Sequence, residues 1–344
     1  MASDALTEAT NRNISATTRD FWIKSWGTGV MLKMPLFAML YDRKRIGWMG
    51  GDKITKPIQM AEMDELFQWY TEHEPLTSAT KETATKPWFG RKFGTFPIKF
   101  TATEWAAQEG TGETKVIDFS KYLVETSQRG ARIAMYKALY AAASTDAGAK
   151  FQSVVQALNH DATYGHTTRA TTATNVFWQS ASIAGTYADQ DTAVAPAIKT
   201  VRDLHSAADM YASDKTDWFV LVGPSIYESL KSQVDASAVN VNPGTMCKYG
   251  FQAFTIDGLE IVKDNYLTAA NLSAETTPQY WLFLININDW EMRMAPDRAF
   301  TLKPFVWQGD RDGGTDSWLS RLMVAGNHIC WNPRGNGWLS NVSA

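Results

Sequence analysis

Residues 46–109 constrain this chain more than any other stretch. Gly50-Gly51 opens a strand-like run, Lys53-Ile54-Thr55-Lys56-Pro57-Ile58-Gln59-Met60, and a second run, Phe96-Pro97-Ile98-Lys99-Phe100-Thr101-Ala102-Thr103, comes back later. Both alternate in strand fashion and are punctuated by Gly and Pro. The sequence between them is polar and loosely patterned, with a tip expected at Glu72-His73-Glu74-Pro75-Leu76-Thr77-Ser78. The pattern predicts a long antiparallel excursion of two strands. A lone two-stranded ribbon is marginal in water, so an ordered one needs a cover, and a monomer offers no obvious one. The chain points to a partner.

The strongest helix signal comes next. No proline interrupts residues 118–143, and the run closes on good helix formers at 138–143. Phe119, Tyr122, Leu123, Ile133, Ala134, Ala138 and Ala141 fall mostly three and four apart, which predicts one apolar stripe. Asp118 is the expected N-cap, and Ser144-Thr145-Asp146-Ala147-Gly148 the expected stop. The other face carries Lys121, Glu125, Gln128, Arg129 and Arg132, a solvated or inter-subunit surface.

On either side lie less regular regions. Residues 1–20 are rich in Ala, Thr, Asn and Ser and read as a flexible arm. Phe21, Trp22, Ile23 and Trp26, then residues 31–40, are apolar without a clean period, fitting either a segment draped on a neighbour or part of the chain's own core. Residues 151–195 read as loops anchored by Phe177 and Trp178. Pro196 opens a helix with Ile198, Val201, Leu204, Ala208 and Tyr211 on one face. Trp218-Phe219-Val220-Leu221-Val222 reads as a buried strand stopped by Gly223-Pro224, and a helix with Ile226, Tyr227, Leu230 and Val234 comes after it. Asp257-Gly258 between two apolar runs predicts a type I′ hairpin. Strands return at 280–287, 300–307 and 318–331. No internal repeat or heptad pattern is present.

Charge and cysteine usage exclude several classes. The balance is 33 basic against 36 acidic residues, net −3, and the densest basic run is only Arg43-Lys44-Arg45. Duplex readers that neutralise phosphates carry a basic excess or arm, which this chain lacks. Cys247 and Cys330 lie far apart and form neither a disulfide framework nor a zinc pattern. The first residues show no signal peptide, and no run nears the roughly 20 apolar residues that span a bilayer. A protein made in the cytoplasm, with no membrane partner, is expected. Fourteen Trp hint at more than one buried surface, since Trp is enriched in cores and at interface centres.

The search for chemistry finds no catalytic residue, no cofactor-binding residue and no metal ligand. Nucleophile-elbow, phosphate-loop and His-Glu-x-x-His patterns are all missing. His160-Asp161 puts a base beside an orienter, but neighbours on a strand point to opposite faces. His73 between Glu72 and Glu74 reads as a solvated charged tip, because metal sites need ligands at defined spacing. Asp310, Asp312 and Asp316 among Gly309, Gly313 and Gly314 lack the calcium-loop core and its distal Glu, so a polar turn explains them better. His166, His205 and His328 have no partners at an informative spacing and read as ordinary loop, helix and strand residues.

The order of these features resembles the tailed-phage major capsid proteins of the Hong Kong 97 fold over nearly the whole chain. The stretch from Gly50-Gly51-Asp52-Lys53-Ile54 to Glu109-Gly110 is similar to that family's extended loop, and the helix from Asp118 to its spine helix. Ala157-Leu158-Asn159-His160-Asp161-Ala162-Thr163-Tyr164-Gly165, then Thr172-Ala173-Thr174-Asn175-Val176-Phe177-Trp178, resembles the family's segment just after the spine. Tyr249-Gly250-Phe251 with Ile256-Asp257-Gly258-Leu259-Glu260-Ile261-Val262-Lys263-Asp264 looks like the axial hairpin, and Gly326-Asn327-His328-Ile329-Cys330-Trp331-Asn332-Pro333-Arg334 like the closing strand. No one of these is a strict motif; their shared order carries the resemblance.

The resemblance implies an α+β chain divided into an N-terminal arm (1–48), an extended two-stranded loop (49–112), the spine helix of a peripheral domain (113–150), a mainly axial α+β domain (151–278), and returning strands of the peripheral domain (279–344). It implies a major head protein that self-assembles into hexamers and pentamers of an icosahedral shell, built in the host cytoplasm and ending in the virion capsid. Packaged double-stranded DNA is confined there, not read. No charged helical segment precedes residue 46, which implies a separate scaffolding protein; a portal and decoration proteins are further expected partners. Some relatives crosslink a loop Lys to an Asn; Lys53, Lys56, Lys81 and Lys86, with Asn332 and Asn336, are candidates, and no spacing singles out a set. Competing readings are an encapsulin-like bacterial nanocompartment shell, an enzyme with an unrecognised site, and a carbohydrate-binding or tail-adhesion protein using exposed Trp.

Overall fold

The computed structural model describes residues 34–48, 50–59, 66–72, 84–104, 113–141, 149–159, 163–169, 178–181, 198–214, 216–236, 242–243, 245–268, 272, 281–309 and 315–339. The expected arm at 1–20, the apolar residues 21–33, the loop at 73–83, the expected helix stop at 144–148, residues 172–177, Pro196 and Tyr280 lie outside them.

The first helix, α1 (Pro35–Asp42), has proline in its opening turn, and its residues up to Leu40 are all buried. A helix buried all round needs no polar face, which is why this run shows no period. Of the two readings open for it, Met34 and Leu36 to Leu40 belong to the protein's own core. Next come β1 (Ile46–Trp48), β2 (Lys53–Thr55), β3 (Ile58–Gln59), β4 (Ala84–Thr85), β5 (Trp88–Gly90) and the long β6 (Lys92–Thr101).

Strand β2 pairs antiparallel with β5, and β3 with β4. The ribbon is there, but its second strand is 84–90 and not the expected 96–103. That later run lies in β6, which pairs with a strand far downstream. Alternation marks a strand without marking its partner.

The long helix α2 (Glu113–Leu139) has 27 residues and runs about 40 Å. It starts before Asp118, which therefore lies inside it and is not its N-cap. Its buried face also differs from the expected stripe. Ser127, Ala131, Met135, Tyr136 and Leu139 face inward, Ile133 is half-exposed, and Tyr122 and Ala134 are exposed. The inward positions include small and polar side chains, so counting apolar residues misplaces the face by part of a turn.

The rest of the chain supplies α3 (Val154–Leu158), α4 (Ile198–Asp209), β7 (Trp218–Val222), α5 (Pro224–Ala236), β8 (Asn242–Pro243), β9 (Ala253–Ile256), β10 (Leu259–Lys263), β11 (Leu282–Asn286), β12 (Trp290–Met294), β13 (Thr301–Leu302), β14 (Val306–Trp307), β15 (Ser317–Cys330) and β16 (Gly337–Leu339). With β1 and β6 these strands form two sheets of six. In one, the order is β16-β11-β7-β10-β9-β8. Phe219 and Leu221 of β7 point to the main core, Val220 and Val222 to a second core under α4 and α5, as period-2 alternation requires. The β9–β10 turn has Asp257 at φ 51° and Gly258 at φ 84°, the paired positive values of a type I′ turn.

The other sheet is built around β15, 14 residues long. One edge pairs with β6 over the whole of that strand, from Lys92 against Gly326 to Thr101 against Ser317. The other edge takes β12, β13 and β14, and β1 lies parallel outside β12. Gly326 is required here: a Cβ would stand 2.4 Å from the Arg293 carbonyl oxygen. The returning segment contributes to both sheets: β11 pairs with β7 and β16 with β11, while β12, β13 and β14 pair with β15.

Candidate assembly surface

The described part of the loop divides into a root packed on the body and a largely exposed segment at 66–72. At the root, Phe89 is 1% exposed and packs its ring against Tyr164 at 4.9 Å and Trp331 at 5.7 Å. Fully burying such a side chain contributes about 1.5–3 kcal/mol. The Trp88 N–H donates to the Gly165 carbonyl (3.3 Å), the Trp88 ring stacks on His166 at 3.5 Å, and the Lys53 ammonium sits 4.1 Å over that ring. The Asn327 amide donates to the Gly90 carbonyl at 3.0 Å. Gly165 has φ +61°, and a Cβ there would meet the Phe89 ring at 2.8 Å. The protein's own body therefore covers the root, contrary to the expectation that a monomer offers no cover.

The outer end is different. Phe67, Trp69 and Tyr70 are 67%, 89% and 65% exposed. Phe67 and Trp69 meet edge to face at 5.1 Å, so they present one aromatic knob. Scattered exposed apolar residues are ordinary, but clustered aromatics mark interaction sites. The expected tip at 72–78 is described only at Glu72. Sequence reading missed the knob, although three aromatics in four positions within an acid-rich stretch were the signal for it.

A polar cavity of about 630 Å³ opens beside the root, lined by Arg45, Lys56, Asp214, Asp289 and Asn332 among others. Burial pushes the Asp289 carboxyl up to about 6, against hydrogen bonds from Ser213, Asn336 and Asn332 and the charge of Lys56. Asn336 is fully buried and ties the wall together. Its Oδ1 accepts from the Trp290 indole and the Asn286 N–H, each at 2.8 Å, and its Nδ2 donates to Asp289 at 3.2 Å and to the Asn332 carbonyl at 2.8 Å. The Asn332 amide donates to the Tyr211 carbonyl at 2.6 Å. Of the crosslink candidates, Lys56 and Asn332 share this cavity, Asn336 is sealed inside, Lys86 is exposed, and Lys81 lies outside the described residues.

The other candidate residues that the structure describes are dispersed. His160, Asp161, His73, Glu74, Asp310, Asp312, Gly313 and Gly314 lie outside the described residues; Asp316 is exposed. His166 takes φ 58° and stacks on Trp88. His205 meets Trp218 edge to face at 4.9 Å, and burial lowers its pKa. His328 is fully buried, stacked on Trp290 at 4.8 Å, and burial lowers it to about 4, so it is neutral at physiological pH. Asp264, also fully buried, accepts from the Tyr140 hydroxyl at 2.8 Å just past α2, and burial pushes it up to about 6. Among the described residues, no three His, Cys, Asp or Glu side chains are grouped to hold a metal, and no helix is long and apolar enough to cross a membrane.

A second concavity, about 290 Å³ and apolar, lies between α2 and the β6/β15 ladder. Phe93, Phe96, Ala134, Met135, Phe151 and Leu322 line it.

No protein-family model matches the chain, and no curated protein matches it. Solved structures match in fold. The capsid asymmetric unit of cyanophage A-1(L) gives a TM-score of 0.61 at 12% identity, over 87% of this chain and 91% of that one. The capsid of the native GTA particle gives 0.56 at 10% identity, over 89% and 90%. A structure from Mycobacterium phage Cain gives 0.51 at 12% identity, over 90% and 91%. Identities this low speak to fold: the chain has the α+β, Hong Kong 97-type fold found in phage capsid structures.

Proposed function

We propose that this chain is the major capsid subunit of a tailed DNA phage, a non-enzymatic protein that self-assembles into hexamers and pentamers of an icosahedral shell. The supporting observation is the contrast along the loop: a root bonded into its own body carries an exposed aromatic knob outward. A side chain as large as Trp69 stays in water at a cost that a neighbouring copy removes. The fold shared with capsid structures supports the same reading. Double-stranded DNA is enclosed by confinement, which a net charge of −3 allows. A separate scaffolding protein and a portal complete assembly in the host cytoplasm, with decoration proteins as optional additions to the shell.

Negative-stain microscopy of the expressed protein, alone and with its phage's scaffolding candidate, tests this. Closed shells of uniform diameter are expected. A protein that stays monomeric at every concentration, with and without scaffold, overturns the proposal. Shells from infected cells that hold an enzyme instead of DNA would move the reading to a nanocompartment.

A further inference from the structure

Two buried side-chain atoms on the wall of the polar cavity beside the loop's root have no partner among the protein's own groups: Oδ1 of Asp289 and Nδ2 of Asn288. One is an acceptor and the other a donor, on adjacent residues of the turn between β11 and β12. Asp289 is 2% exposed, and its other oxygen accepts from Asn336 at 3.2 Å. The Ser213 and Asn332 side chains lower its pKa against the effect of burial, yet no donor meets Oδ1 in full hydrogen-bond geometry. Asn288 is held by its own oxygen, which accepts from the Arg45 guanidinium. Buried polar groups are nearly always paired, and an exception calls for an explanation.

We infer that this cavity binds a small hydroxyl-bearing anion, an acidic sugar or a sugar phosphate, with a hydroxyl between Asp289 and Asn288 and the negative charge on Lys56 and Arg45. The site belongs to the single subunit and goes beyond the shell reading, so the two can fail separately.

The unpaired donor and acceptor select the first group. A hydroxyl both donates and accepts through one atom, so it can serve Asp289 and Asn288 together. An ammonium only donates and would leave Asn288 unpaired, and a bare carboxylate or phosphate would meet Asp289 with like charge. The cations select the second group. Among the described residues, neither Arg45 nor Lys56 takes part in an ion pair. Lys56 stands exposed between β2 and β3, its ammonium 5.8 Å over the Trp331 ring, and its charge reaches Asp289. Two cations on one wall also argue against a metal ion. Asp214 is the other carboxylate lining the cavity, and its Oδ1 already accepts from the Thr216 N–H at 3.1 Å. A volume of about 630 Å³ is ample for a single sugar. Because Lys56 lies on the loop and Asp289 on the body, one ligand would join the two.

Calorimetric titration of the unassembled full chain tests the site with four probes: glucuronate, glucose 6-phosphate, glucose and acetate. Saturable binding of glucuronate or glucose 6-phosphate is expected, with glucose and acetate each weaker by about tenfold or more, because each meets only half of the site. The tighter of the two anions tells whether a carboxylate or a phosphate is the charge that Lys56 and Arg45 hold. Lys56→Met, a change at an exposed position, should bring that anion down to the affinity of glucose. Asn288→Asp keeps the oxygen that Arg45 holds and replaces the unpaired donor by an acceptor; it should weaken the anion by about tenfold or more. The bound anion should also raise the unfolding temperature of the wild type and leave that of Lys56→Met unchanged. Should Asn288→Asp fail to fold, Lys56→Met and the probe series still decide. Acetate binding as tightly as glucuronate, no saturable binding of any probe, or binding untouched by Lys56→Met overturns the assignment, whether or not the protein forms shells.

Discussion

The root and the outer end of the loop are about equally aromatic, yet they stand in opposite relations to water. Trp88 and Phe89 at the root are packed on His166, Tyr164 and Trp331. At the outer end Phe67 and Trp69 meet edge to face, and they and Tyr70 are largely exposed. The same residue types thus serve two free energies. Root aromatics contribute to folding of one subunit; in the proposed shell, outer aromatics contribute when a second molecule arrives. The described ribbon ends at Gln59 and Ala84, between the two.

The strongest way to break this contrast is at the root. Phe89→Ala is expected to cost about 3–5 kcal/mol of subunit stability, as for a fully buried aromatic, read by denaturant unfolding of unassembled protein. A loss under about 1 kcal/mol would mean the root is not anchored. Next comes the carboxyl facing the root. Asp289 is raised from 3.8 to about 6, so its contribution is fully present below pH 3.8 and lost as pH rises through about 6. Between pH 3.5 and pH 8 the wild type should therefore lose about 3 kcal/mol relative to Asp289→Asn. Parallel stability curves for the two proteins would refute this. His328 runs the other way: lowered to about 4, it contributes above pH 6.5, and that part fades as pH falls towards 4, so both proteins should share an acid limb.

At the outer end the folding effect should nearly vanish. Trp69→Ala is expected to change subunit stability by no more than about 0.5 kcal/mol, while shells measured by light scattering need markedly more protein. A large drop in unfolding temperature would erase the distinction between the two ends. The smallest effect concerns covalent chemistry. Because the Asn332 amide is committed to the Tyr211 carbonyl and Asn336 is sealed in, denatured shells should run as a single monomer band on a gel, and a ladder would contradict this.

Much of the architecture was legible because it depends on neighbours in sequence. Five apolar residues from Trp218 specify a strand buried on both faces, and Asp257-Gly258 specifies the β9–β10 turn by backbone chemistry alone. Partner choice was not legible in the same way. Residues 96–101 alternate like a ribbon strand, but what they pair with is decided by β15, more than 200 positions on. The buried face of α2 was misjudged for a related reason: Ala131 and Ser127 face inward because Phe96 and its neighbours lie there, not because they are apolar. Ile133, half-exposed, would accept Asp far more easily than Tyr136 would. The knot of Asn286, Asp289, Asn332 and Asn336 spans some fifty positions, and no spacing rule joins such residues. The knob was readable in principle, from three aromatics within the four positions 67–70.

Strand β15 carries a mechanical consequence. A tug on the loop passes through Arg91 into β6 and so reaches the body lengthwise along a ladder of ten paired residues. Load applied in that direction shears all the rungs together instead of peeling them singly, since the bonds lie across the strands. The opposite edge of β15, gripped in turn by β12, β13 and β14, spreads the strain into the rest of the sheet, so the loop is tethered like a rope spliced along a beam and not tied at its end.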